Sequence, residues 1–105
     1  MNDPWPFADP EDTEVITLDR ILRGESALLL VTHDAEDGCW QFLDGEHVFE
    51  HDAVAVSLGE MVQFDPSLLE LADLPEGSYA WRVASDRPWC RADREPPVNL
   101  PLEAN

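Results

Sequence analysis

The sequence HVFEH, His47 to His51, holds two imidazoles four residues apart beside the carboxylates of Glu50 and Asp52. Side chains at that spacing face the same way on a helix or a strand, so His47 and His51, with His33 or a nearby acid, could hold a zinc ion. The order departs from the zinc-protease motif, because the Glu directly precedes the second His instead of following the first. No CxxC pair supplies further ligands. Ser57 and Ser78 lack the small-residue turn that presents a nucleophilic serine, and no Gly-rich phosphate loop is present. Acid–base catalysis needs carboxyls whose surroundings push their pKa values apart, and no acid here lies inside an apolar run. The sequence therefore identifies no catalytic residue and no cofactor. A metal-binding or hydrolytic enzyme using His47, His51 and nearby carboxylates stands as the alternative reading.

The carboxylates suggest a different chemistry. The chain has 23 acids against six bases, all Arg, for a net charge of −17. Nineteen acids and two Arg fall within residues 1–76, while four acids and four Arg follow, so the imbalance lies entirely in the first three quarters. Such a surface repels nucleic acid and anionic lipid, whose binding depends on Lys and Arg. It attracts a basic protein and speeds encounter with it. Asp34, Glu36, Asp37, Asp44, Glu46, Glu50 and Asp52 crowd one stretch. They read as a negative rim for a Lys/Arg-rich partner, with Phe49 as an apolar anchor. The plainer account of the same charge is solubility.

The surrounding elements decide whether such a rim exists. At 105 residues and 44% apolar, the chain reads as one domain able to bury a core. Residues 1–12 carry three Pro and read as an extended arm pinned by Trp5 and Phe7. Residues 13–95 form the body, and the Pro-rich residues 96–105 a peripheral tail. Glu14–Thr17 reads as a short strand, with Thr17 capping a two-turn helix that Gly24 stops. The segments 27–33 and 39–43 read as a hairpin across Asp34–Gly38. Two Asp-Gly pairs bracket Cys-Trp-Gln-Phe-Leu, and strand alternation puts Trp40 and Phe42 on one side. Burial explains that pair better than display does. His47–His51 reads as a third strand. Ser57 and Glu60 match a capping box, and Asp65-Pro66 restarts a helix. Tyr79, Trp81 and Val83 alternate with Ala80, Arg82 and Ala84, with the first set assigned to the core. The expected fold is α+β: an antiparallel sheet of four to five strands with one or two short helices packed on one face.

The longest apolar run, Ala27–Val31, is too short to cross a bilayer. The acidic, Pro-broken start lacks the features of a secretory signal, so the expected location is cytoplasmic. Cys39 and Cys90 then read as free thiols. An uncovered strand edge would allow a homodimer.

The strings Asp-Gly-Cys-Trp-Gln-Phe-Leu-Asp-Gly, Ser-Leu-Gly-Glu-Met-Val, Asp-Pro-Ser-Leu and Leu-Ala-Asp-Leu-Pro-Glu-Gly, in that order, resemble a family of small acidic bacterial proteins. That family is akin to the Imm33-type immunity-protein group, and the likeness spans about residues 15–91. It implies an α+β fold, no catalytic residues to transfer, and a toxin as the basic partner.

Overall fold

A computed structural model describes residues 5–46 and 48–92 of the chain. His47, the first four residues of the arm and the whole Pro-rich tail lie outside the described residues. The protein is α+β, built on a six-stranded mixed sheet with short helices.

The strands are β1 (Glu14–Leu18), β2 (Leu30–His33), β3 (Trp40–Leu43), β4 (Ala53–Ser57), β5 (Tyr79–Trp81) and β6 (Cys90–Ala92). They lie in the order β4-β1-β3-β2-β5-β6. The hairpin forms as expected, with His33 opposite Trp40 and Leu30 opposite Leu43. An all-antiparallel sheet of four to five strands does not form. β3 lies beside β1 in parallel, with Ile16 opposite Gln41, and every other pairing is antiparallel. The helix α1 (Asp19–Leu22) is a single turn that lets the chain skip one position, which β3 then fills. Thr17 does not cap that helix. It is a buried strand residue whose hydroxyl donates to the Phe42 carbonyl at 2.8 Å, tying β1 to β3.

The expected third strand at His47–His51 is also displaced. Glu50–Asp52 forms a 3-10 turn, and the strand is Ala53–Ser57, whose alternating Ala and Val suit a sheet edge better. Ser57 closes β4 and caps α2 (Leu58–Phe64). Its hydroxyl accepts from the Glu60 amide while the Glu60 carboxylate accepts from the Ser57 amide. Asp65 then caps the 3-10 helix Pro66–Leu71.

Leu58, Met61, Leu68, Leu71 and Leu74 share one buried core with Val15, Trp40, Phe42, Val31 and Ala80 of the sheet. Trp40 is the hub. Phe7 meets it edge-on at 5.4 Å, His33 stacks on it at 3.9 Å, and its Nε1 donates to Asp9 at 2.9 Å. Phe7 is buried and Trp5 packs beside it at 5.2 Å, so these two rings pin the arm to the body. Rings of this size bury roughly 150–250 Å² each, so Trp40 and Phe42 are turned inward as their alternation predicts.

In the Tyr79–Ala84 segment Tyr79 is 5% exposed and joins the core as expected, but Trp81 and Val83 do not. Ala80 and Arg82 point to the helices, while Trp81 is 38% and Val83 70% exposed on the other side. Arg82 is drawn inward because partners wait there. Its Nε donates to the Leu28 carbonyl, Nη1 to the Ser67 hydroxyl and Nη2 to Asp65, and Trp89 covers its guanidinium at 4.2 Å. Trp81 therefore lies on the opposite face from Trp40. No helix among the described residues is long and apolar enough to cross a membrane.

Candidate functional site

Strand directions sort the charged residues into two groups. β1 and β3 start at the same end of the sheet, and β5 starts there too. β2, β4 and β6, antiparallel to their neighbours, finish there at His33, Ser57 and Ala92, and Arg91 on β6 is paired with Asp73. At this end lie Glu11, Asp12 and Glu14 leading into β1, and Asp34, Glu36 and Asp37 in the β2–β3 loop. Glu60 in the first turn of α2 and Glu76 ahead of β5 complete the set. All eight are exposed, and no ion pair among the described residues involves any of them.

Local backbone geometry holds the group in place. The Asp34 carboxylate accepts from the Glu36 amide at 2.7 Å and that of Asp37 from the Cys39 amide at 2.9 Å, each closing a small turn. Gly38 has φ +71°, a conformation that side chains strain to adopt. A Cβ there would come within 2.8 Å of the Glu76 carboxylate, so Glu76 leans directly over the loop. The Cys39 thiol reports the resulting field. Burial pushes its pKa up, and the charges of Asp37, Asp34 and Glu14 push it further. Cys39 and Cys90 are both free, the latter exposed.

The opposite end is neutralised. Arg20 donates to Asp44 at 2.6 Å and to Asp52 at 3.0 Å, and Arg23 pairs with Asp19 and Glu25. The Ser26 hydroxyl also donates to Asp44. Burial alone would raise the Asp44 pKa, but bonds from Arg20, Ser26 and the Glu46 amide hold the carboxyl below its usual range. Asp65 behaves alike: burial raises it, and the Ser67 hydroxyl and Arg82 outweigh that and lower it. An open cleft of about 440 Å³ runs between these two centres, lined by Ile21, Phe64, Ser26, Asp65 and Arg82 among others. The guanidinium of Arg82 is engaged in holding the loops together. The cleft therefore has structural chemistry at its walls.

The rim read from the sequence is thus divided. The structure brings Asp34, Glu36 and Asp37 together on an exposed loop. Asp44, only 4% exposed, and Asp52 are instead bound to Arg20 at the far end of β3. Glu46 is exposed there as well, and Phe49 is 55% exposed with its ring 5.8 Å from that of His51. Glu50 falls in the 3-10 turn, and its side chain lies outside those described. Glu11, Asp12, Glu14, Glu60 and Glu76 join the first three acids only through strand pairing and escape a linear reading. The signal available in the sequence was the absence of Arg from residues 24–81.

Among the described residues no three of His, Cys, Asp and Glu gather to hold a metal ion. His51 is exposed beside Asp52, and His33 is occupied with Trp40 and the Leu74 carbonyl, 2.7 Å from its Nδ1.

No protein-family model, curated protein or solved structure matches the chain.

Proposed function

We propose that this protein is a non-enzymatic binding module whose acid-rich end engages a basic protein. The observation that carries this reading is the separation of charge. Eight exposed carboxylates without an ion-pair partner among the described residues share one end of the sheet, where Arg91 on β6 is held by Asp73, while Arg20, Arg23 and Arg82 are each matched to acids at the other end. A surface that served solubility alone would have no reason to segregate its pairs. One-signed ends steer an oppositely charged partner and fix its orientation. The likeness to immunity proteins points to a toxin as that partner.

The test is affinity capture with the wild type and the triple variant Asp34→Asn, Glu36→Gln, Asp37→Asn. A basic protein retained by the wild type at low salt, released at high salt and not retained by the variant supports the reading. Retention unaffected by both salt and the variant contradicts it.

A further inference from the structure

The acid-rich end adjoins the β4 edge of the sheet, which no other described strand pairs with, and the two edges of the sheet differ in how they are protected. β6 is three residues long, follows Pro88, and carries Arg91, whose guanidinium is held by Asp73 and the Glu70 carbonyl. Short length and charge are the usual means of discouraging further strand pairing. β4 has neither: it is Ala-Val-Ala-Val-Ser, uncharged and without proline.

The ladder shows which backbone groups of β4 are available. The Leu58 amide donates to Thr13 at 2.8 Å, so that pair belongs to the hydrogen-bonded set of the antiparallel β1–β4 ladder. Members of that set recur every second residue, which turns the amides and carbonyls of Val56 and Val54 toward β1. Those of Ala53 and Ala55 point away from the sheet. The Ser57 amide is occupied by Glu60, which marks where the free edge ends. Ala53 and Ala55 are exposed, and their small side chains leave the approach open. A groove of about 290 Å³ follows this edge, lined by Asp12, Glu14, Ala55, Val56 and Ser57.

We propose that β4 accepts an extended basic segment of a partner protein as a seventh strand. The inference rests on the reading of the acid end as a binding surface and specifies how the contact is made. Main-chain bonds to Ala53 and Ala55 supply register, as in other strand-addition complexes. Lys or Arg side chains on the alanine side pass over those methyls to reach Glu14 and Asp12. Apolar β-branched residues between them pack beside Val54 and Val56. A second copy of this chain is the poorer occupant, because it would bring another −17 to the same seam.

The experiment uses a fluorescein-labelled Arg-Val-Arg-Val-Arg-Val-Arg peptide and the same peptide N-methylated at alternate residues, which keeps the charge but cannot complete a ladder. Both are titrated by anisotropy into the wild type and into Ala55→Pro. The proline removes an outward-pointing N–H that serves no internal ladder bond, so the variant keeps its fold, checked by near-UV circular dichroism. The expected result is binding of the parent peptide to the wild type, weakened roughly tenfold or more by either N-methylation or Ala55→Pro. Should the proline variant fail to fold, the methylated peptide on wild-type protein decides alone. Equal binding of both peptides to the wild type overturns strand addition while leaving the acidic surface standing. Failure of the parent peptide to bind even at low salt overturns both.

Discussion

The two ends of the sheet carry comparable numbers of acids and use them in opposite ways. At one end Asp44, Asp52 and Asp65 are held by Arg20 and Arg82, and the carboxylates act as internal fasteners between loops. At the other, Asp34 and Asp37 are bonded to nearby backbone amides, and none of the eight exposed acids there forms an ion pair among the described residues. The comparison teaches that net charge alone says little about which acids are free to meet a partner. Pairing, which follows from strand direction, decides it.

The sharpest way to break this contrast is at the fastened end. Arg82→Ala removes the countercharge of Asp65, leaving it only the Ser67 donors, and frees the Leu28 carbonyl of its Arg82 bond. Removing one partner of a buried pair costs about 3–5 kcal/mol. Thermal or urea unfolding should show a large loss, and a change within error would mean that the guanidinium is dispensable. Acid unfolding probes the same end. The folded pKa values of Asp44 and Asp65 are depressed from an ordinary value of 3.8. Their stabilisation is therefore complete above that value and is lost as pH falls through the folded values. Denaturant midpoints should drop steeply below about pH 4, and Asp65→Asn should flatten that fall while lowering stability at neutral pH. A steep fall retained in the variant would assign the acid limb elsewhere.

Smaller effects belong to the boundary and to the open end. Ser57→Ala removes one half of the capping box between β4 and α2 and should cost about 1 kcal/mol. The triple variant Asp34→Asn, Glu36→Gln, Asp37→Asn should change stability by no more than about 0.5 kcal/mol, because exposed side chains away from packing rarely matter. Added salt separates the ends by sign. Screening relieves repulsion at the open end and weakens pairs at the fastened one, and with −17 net the melting temperature should rise modestly. A fall would show that the pairs dominate.

Local signals in the sequence were readable and long-range ones were not. The capping box at Ser57, the Asp65-Pro66 restart and the inward Trp40–Phe42 pair each rest on residues within a few positions of one another, and all three appear. The parallel β1–β3 pairing joins residues 25 apart in sequence, as Ile16 and Gln41 are, and leaves no periodic trace. The β6 strand was missed because three residues after Pro88 show no alternation to recognise. Alternation places Arg82 on the face opposite Tyr79, Trp81 and Val83, and a lone Arg is costly to bury. Asp65, 17 positions earlier, offsets that cost, so Arg82 is buried while Trp81 is left exposed. The same blindness divided the acidic rim: Asp37 and Asp44 are neighbours along the chain but flank the two ends of β3.

The most direct measurement is a backbone amide NMR titration of isotope-labelled protein with the Arg-Val peptide at low and high salt. The account predicts shifts concentrated at residues 11–14, 34–38, 53–60 and 76–77, suppressed by salt, with the amides around Arg20, Asp44 and Arg82 unmoved. Shifts centred on that fastened end, or spread evenly over the surface, would contradict it.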